Sequence, residues 1–334
     1  MTTVNRQWLI AGRPNGRPLR DADFARAENA VREPGPGEVL LRTLYLGFDP
    51  AQKGWMENVG GYVAPTELGE VMRGSAIGEV IASNAPALVP GDKVVGRTGW
   101  QTFPTAPASD VQKIDNNTPL TANLGVLGTT GMTAFFGLSK IGKPFAGDTL
   151  VVTGAAGATG SVVGQIGKIT GCRVIGIAGG RNKCQWLVDE LGFDAAIDYK
   201  AEDVRERVRE LAPSGIDVLW DNVGGKILNG LLGELAMHAR VVICGGISRY
   251  ELGQMPAGPE NYFNLIFKRA TMSGFIVLDY QSEFSWARAR IVNWIEDGRV
   301  RYREDIQHGF ENAPRTLMRL FGGENFGKQL LKVD

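Results

Sequence analysis

The run GAAGATGSVVG (154–164) follows the apolar stretch TLVVT (149–153) and leads into a small-residue helical pattern over 160–170. A strand that turns through spaced glycines into a helix is open to few architectures. The G-x-x-G-x-x-G spacing is a variant of the dinucleotide fingerprint. Its glycines let backbone approach a pyrophosphate and let the helix pack on the sheet. The helix start then offers free N–H groups and a positive dipole end to an anion. A glycine run alone is weak evidence, but a strand before it, a helix after it and a second strand at 173–177 form the context that gives it weight.

The pattern around this motif repeats. A second helix is predicted over 183–191, and further short apolar strands over 195–198, 217–220 and 240–244. Such alternation indicates a parallel sheet covered on both faces. Residues before about 125 read differently. Strands are predicted over 36–48, 76–82 and 93–96, punctuated by glycine and proline. The stretch FSWARARIVNWIEDG reads as an amphipathic helix ending at Gly298, and 328–333 as a closing strand. With 334 residues, two domains are expected. The boundaries predicted are a β-rich domain over 1–125, completed by 290–334, and a Rossmann doubly wound domain over 126–289, giving an α/β fold overall.

Forty-five glycines is nearly twice the usual share, as many tight turns and close backbone approaches require. Thirty-six basic residues balance thirty-six acidic ones, so no basic excess points to nucleic acid. No apolar run approaches the ~18 residues of a membrane span, and the first ten residues do not resemble a signal peptide. Cys172, Cys184 and Cys244 lack metal-ligand spacing and read as reduced thiols, which suggests a cytoplasmic protein. His238 and His308 are the only histidines and read as surface residues, so no zinc site is expected.

Cofactor choice is read after the second strand, where an NAD-selective site usually carries Asp or Glu. Here stand Gly179, Gly180, Arg181, Asn182 and Lys183. Without a carboxylate to repel a 2′-phosphate, and with two cations to pair with it, NADP(H) is expected over NAD(H). The bland alternative is a solvated first turn of a helix.

The blocks PGPGEVLLRTLYLGFDP (34–50), LGEVMRGSAIGEVIAS (68–83), LGTTGMTAFFGL (127–138), TGAAGATGSVVGQIGKITGC (153–172), LGFDAAIDYK (191–200), DNVGG (221–225) and ENFGKQLLKV (324–333) span nearly the whole chain. Together they resemble the zinc-independent medium-chain dehydrogenases/reductases of the leukotriene B4 dehydrogenase, prostaglandin reductase and alkenal double-bond reductase family. That resemblance implies a GroES-like β-rich domain beside the Rossmann domain, and a homodimer formed by edge-strand pairing. It implies that Gly157, Ala158, Thr159 and Gly160 hold the pyrophosphate, with Lys183 and Tyr199 on the 2′-phosphate and adenosine side. Met132 and Thr133 would lie along the cofactor, and Asn222 would meet it after the fourth strand. Cys244, Gly245, Gly246, Ile247, Ser248 and Tyr250 match the loop beside the nicotinamide half. Phe275, Ile276 and Val277 match carboxamide contacts, and Asn325 a contact on the phosphate side. Read singly, Asn222 could close a turn, Tyr199 could end a strand, and Cys244 could be a small buried residue.

The implied reaction is reduction of a carbon–carbon double bond conjugated to a carbonyl, with hydride from NADPH arriving at the β-carbon. Charge then builds on the carbonyl oxygen and calls for a hydrogen-bond donor, and the α-carbon needs a proton from a side chain or water. Many relatives place a tyrosine in a segment like IIYKR; here it reads LIFKR, with Phe267 and no hydroxyl. The common DPYMRG reads DPAQKG, with Ala51 at the tyrosine. Tyr262, Tyr62 or the ribose 2′-OH remain as donors, with Tyr262 the candidate catalytic residue. Trp55, Met56, Tyr62, Tyr262, Phe267 and Phe275 are the candidate pocket wall, suited to an apolar activated alkene. An aromatic cluster of this kind is more often plain core. A quinone reductase and a non-catalytic NADPH-binding protein are the alternatives.

Overall fold

A computed structural model describes residues 4–57, 61, 63–115, 117–253 and 257–334. The chain divides into two compact units, Met1–Gly125 with Glu304–Asp334, and Val126–Arg303.

The first unit begins with β1 (Val4–Ile10), antiparallel to β2 (Phe24–Ala30). The long β3 (Glu38–Gly47) follows, then the short helix α1 (Ala51–Met56), β4 (Ala76–Ser83), β5 (Lys93–Gly96), β6 (Thr105–Pro107) and β7 (Val111–Lys113). Val39 and Leu41, two residues apart on one face of β3, join Val80 of β4 in a buried core.

The second unit opens with α2 (Thr129–Phe136), which runs into a π-helical turn over Gly137–Gly142. Strands and helices then alternate: β8 (Thr149–Thr153), α3 (Ala158–Thr170), β9 (Arg173–Ala178), α4 (Arg181–Asp189), β10 (Ala195–Asp198), α5 (Val204–Leu211), β11 (Ile216–Asp221), α6 (Gly225–Leu231) and β12 (Leu235–Ile243). The short α7 (Asn264–Lys268), β13 (Thr271–Gly274) and α8 (Phe284–Glu296) complete it. The six strands are all parallel, in the order β10-β9-β8-β11-β12-β13. Val151, Ile175, Leu219 and Val241 are buried on strands of this sheet, with Val208 of α5 and Leu228 of α6 in the same core. α3 lies close on the sheet because Gly167 carries no side chain: a β-carbon there would sit 2.4 Å from Leu150 Cδ2 on β8.

The chain ends in the first unit with β14 (Glu304–His308), α9 (Ala313–Phe321) and β15 (Lys328–Lys332). β15 pairs antiparallel with β3, giving the order β14-β15-β3-β4-β5-β7, with β6 also on β3. Ala313, Leu317 and Leu320 put one face of α9 into the core around Trp8, Phe48 and Trp100.

The second unit extends to Arg303 rather than ending at 289. α8 is the reason. Its Ala287 and Ile291 are fully buried, and Arg288 Nε donates to Leu127 O at 2.9 Å, ahead of α2. Beyond α8, Gln165 of α3 exchanges two hydrogen bonds with the Arg301 backbone, at 2.8 and 2.7 Å. The sixth strand, β13, escaped the sequence reading because TMSG is polar and largely exposed at the sheet edge.

Candidate functional site

The order of the parallel sheet fixes where a ligand can bind. From β8 the chain winds outward through β9 and β10, then returns to place β11 on the other side of β8. The reversal between β8 and β11 is a topological switch point, and the crevice lies outside the carboxyl ends of the strands. Every candidate cofactor segment between 154 and 277 that follows a strand lies on this edge. They are the Gly154 turn after β8, Gly179 after β9, Tyr199 after β10, Asn222 after β11, Cys244 after β12 and Phe275 after β13.

The turn after β8 is built from backbone. Gly154 has φ +60°, and Gly157 N donates to Gly154 O at 3.1 Å. Gly157 caps α3 with no side-chain acceptor, so the N–H groups of the first turn are left for an anion. A β-carbon on Gly160 would stand 2.4 Å from Gly154 O and 2.9 Å from Ala155 Cα, so only glycine fits. This bare turn ahead of a thirteen-residue helix fits a pyrophosphate. Ala158 and Thr159 are part-exposed in that first turn.

The turn after β9 carries cations and no acid. Gly180 precedes α4 with no side-chain cap, and the first turn of α4 holds no acid. Arg181 is exposed and Lys183 half-buried. Cations at a helix N-terminus oppose the dipole by about 0.3–1 kcal/mol each, and a bound anion offsets that cost. The ring of Tyr199 lies over Gly179. The neighbouring carboxylate, Asp198, is turned to the backbone, accepting from Gly180 N at 2.8 Å and Lys200 N at 3.0 Å.

At the switch point Asn222 is already committed. Its Nδ2 donates to Thr153 O at 2.7 Å, and its Oδ1 accepts from Trp220 Nε1 at 3.0 Å. Its backbone O accepts from Ile247 N at 3.2 Å, so the loop with Gly245, Gly246, Ile247, Ser248 and Tyr250 is carried on the turn after β11. Ser248 Oγ donates to Val223 O at 2.6 Å. Cys244 is shielded, and burial pushes its thiol up to about 12, with Asp221 adding to the effect. It is a neutral packing group, not a nucleophile. Phe275 packs edge-on against Trp220, centroids 5.9 Å apart, and Ile276 is extended.

Several candidates are placed as packing residues. Met132 has no exposed surface, so its side chain is core and offers nothing to a cofactor. Thr133 is part-exposed, with its hydroxyl donating to Thr129 O at 2.7 Å. Val277 is buried. Met56 is fully buried in the core of the first unit with Trp8 and Phe48, which removes it from any pocket wall.

Trp55, on α1 of the first unit, is half-buried, and its Nε1 is buried without a hydrogen-bond partner among the described residues. Asn325 also belongs to the first unit and donates to Gly327 O at 3.0 Å. Tyr62 lies outside the described residues. In the second unit, Tyr262 is 54% exposed and Phe267 66% exposed, beside exposed Phe263 and Ile266. Asp221 and Thr153, both fully buried at the switch point, were missed by the sequence reading.

Among the described residues, no group of three or more His, Cys, Asp or Glu could hold a metal ion. No helix among them is long and apolar enough to cross a membrane.

Two family models match the chain. One, described as the N-terminal domain of oxidoreductase, covers residues 6–114; the other, described as zinc-binding dehydrogenase, covers 158–293. An NADPH-dependent curcumin reductase of Escherichia coli is 40% identical over 98% of this chain and 97% of its own. A 2-alkenal reductase (NADP(+)-dependent) of Nicotiana tabacum is 37% identical over 99% and 98%. The crystal structure of CurA in complex with NADPH from Vibrio vulnificus superposes with a TM-score of 0.93, at 40% identity, over 98% and 99% of the two chains.

Proposed function

The chain belongs to the zinc-independent medium-chain dehydrogenase/reductase family and is an NADPH-dependent oxidoreductase, and we propose that it reduces the double bond of α,β-unsaturated aldehydes and ketones. One observation carries the substrate class: a relative that aligns over nearly the whole chain is named for 2-alkenals, in which the alkene is conjugated to an aldehyde.

In this reading Gly157, Ala158, Thr159 and Gly160 hold the pyrophosphate. Arg181, Lys183 and Tyr199 face the 2′-phosphate side, and the loop from Gly245 to Tyr250 with Phe275 and Ile276 borders the nicotinamide half. When bound there, NADPH supplies the hydride that reaches the β-carbon. The protein orients and polarises the substrate. Charge gathering on the carbonyl oxygen needs a donor already aimed at it. We assign that role to the Tyr262 hydroxyl, because Phe267 and Ala51 carry none. Phe267 supplies apolar wall, and water returns the proton to the α-carbon. The protein is read as cytoplasmic. It is also read as a homodimer, because β13 is an edge strand of the parallel sheet and Met272 on it is exposed.

The test is NADPH oxidation against an aliphatic 2-alkenal, an aryl enone and a quinone, with the products identified. A saturated carbonyl product from either alkene is expected. Quinone turnover without alkene reduction would overturn the substrate class.

A further inference from the structure

Asp221 ends β11 with its carboxylate inside the protein, fully buried. Oδ1 accepts from Thr153 Oγ1 at 2.7 Å and from Val223 N at 3.3 Å, and Oδ2 accepts from Gly224 N at 2.9 Å. Burial pushes the acid upward and these three donors oppose it; no cation contributes. A buried carboxylate without an ion pair needs its hydrogen bonds, because each unsatisfied oxygen carries a desolvation cost.

The location gives the group its meaning. The β8–β11 ladder ends at Trp220 opposite Val152. The next two residues, Asp221 and Thr153, continue the connection through side chains. Thr153 Oγ1 also accepts from Asn222 N at 2.9 Å. The backbone O of Asp221 accepts from Cys244 N at 2.9 Å and Gly245 N at 3.1 Å. One residue therefore ties together the strand that feeds the glycine turn, the DNVGG turn and the loop that begins at Cys244. Its side chain points into the protein and is closed to any ligand.

We propose that Asp221 is a positioning residue for the cofactor: bridged to Thr153, it sets the spacing between the pyrophosphate turn and the loop after β12. It acts on NADPH without touching it. The proposal rests on the assignment of Gly157–Gly160 to the pyrophosphate.

The experiment measures NADPH dissociation constants for Asp221→Asn, Thr153→Val and Thr153→Ser, each well below its own melting midpoint, with kcat at saturating NADPH. Asp221→Asn keeps the volume but turns an N–H₂ toward a donor. Its dissociation constant should rise roughly tenfold or more, with kcat within about threefold. Thr153→Val should show a rise of about three- to tenfold, and Thr153→Ser should restore the parent value within about twofold. A purely structural role would lower the melting midpoint and leave these constants unmoved. A folded Asp221→Asn protein with parental affinity, or a loss confined to kcat, overturns the proposal. If Asp221→Asn does not fold, the two threonine variants decide: parental affinity in Thr153→Val overturns it. A parent protein that binds NADPH no better than its own Gly160→Val variant would overturn the pyrophosphate assignment instead.

Discussion

The glycine turn after β8 and the aromatic segment around α7 belong to the same unit and are built on opposite principles. In the turn, the chain dispenses with side chains and leaves backbone groups exposed to the crevice. Gly154 and Gly157 bond to each other, and Gly160 leaves no room for even a methyl group. Around α7, by contrast, large side chains stand on the surface: Tyr262, Phe263, Ile266 and Phe267 are all more than half exposed. α7 has only five residues and no side-chain cap. The first region is over-determined by its own packing, and the second takes its meaning from what comes to cover it. A region of the first kind tolerates no substitution, whereas one of the second kind can change its residues without disturbing the core.

The largest expected effect attacks the first region. Gly160→Val puts carbon against Gly154 O and Ala155 Cα, both backbone, so the turn must open. Overpacking of this kind costs about 1–3 kcal/mol, which raises the NADPH dissociation constant by roughly 5- to 150-fold. Phe267→Ala, in the second region, should leave that constant within about twofold, since the exposed ring packs little. A fluorescence titration of NADPH on both variants makes the contrast measurable. Equal losses in the two would mean that the segment around α7 shapes the cofactor site, and the distinction between the regions would fall.

A comparable effect is expected from charge. Arg181→Glu combined with Lys183→Glu turns the first turn of α4 from attracting to repelling a 2′-phosphate. Hydrogen bonds to charged groups contribute about 1.5–3 kcal/mol, so the preference for NADPH over NADH should fall about 10- to 100-fold. NADH affinity should change little, and the NADPH effect should shrink at high salt. Parallel titrations with both cofactors test this. If both affinities fall together, the two cations act on the fold of α4 and not on the phosphate.

The difference between the regions also explains what could be read from the sequence. The strand at 149–153 appears at the residues expected, because a strand buried on both faces must be a short apolar run. The glycine spacing was legible for the same reason: it reports a steric exclusion that local sequence encodes. β1 and β2 were not legible as a pair, since the residues joining them give no signal of their register. The helix at 284–296 was legible as a helix, but amphipathicity does not say which core it joins, so the boundary fell at 290 instead of 304. Met132 was assigned to the site by its matching block and Met56 as apolar pocket wall, and burial moved both to the core. Asp221 and Thr153 were invisible because a buried polar pair is made by two strands meeting, which neither strand records alone.

The smallest expected effect tests the second region itself. If Tyr262 donates to the substrate carbonyl, Tyr262→Phe removes one hydrogen bond and leaves the ring. A donor enclosed in a dry site can be worth 10²-fold or more, but this ring is 54% exposed, and water competes for both hydroxyl and oxyanion. The fall in kcat on a 2-alkenal should therefore be modest, about three- to tenfold, with NADPH affinity unchanged. Phe267→Tyr should act in the opposite sense, because it returns a hydroxyl to a segment that lacks one. A few-fold gain in kcat there, reversing the loss when combined with Tyr262→Phe, would establish that α7 and its approach share one task. No change in either variant would move the donor away from this segment, and would leave its exposed aromatics to apolar recognition or to the contact between subunits.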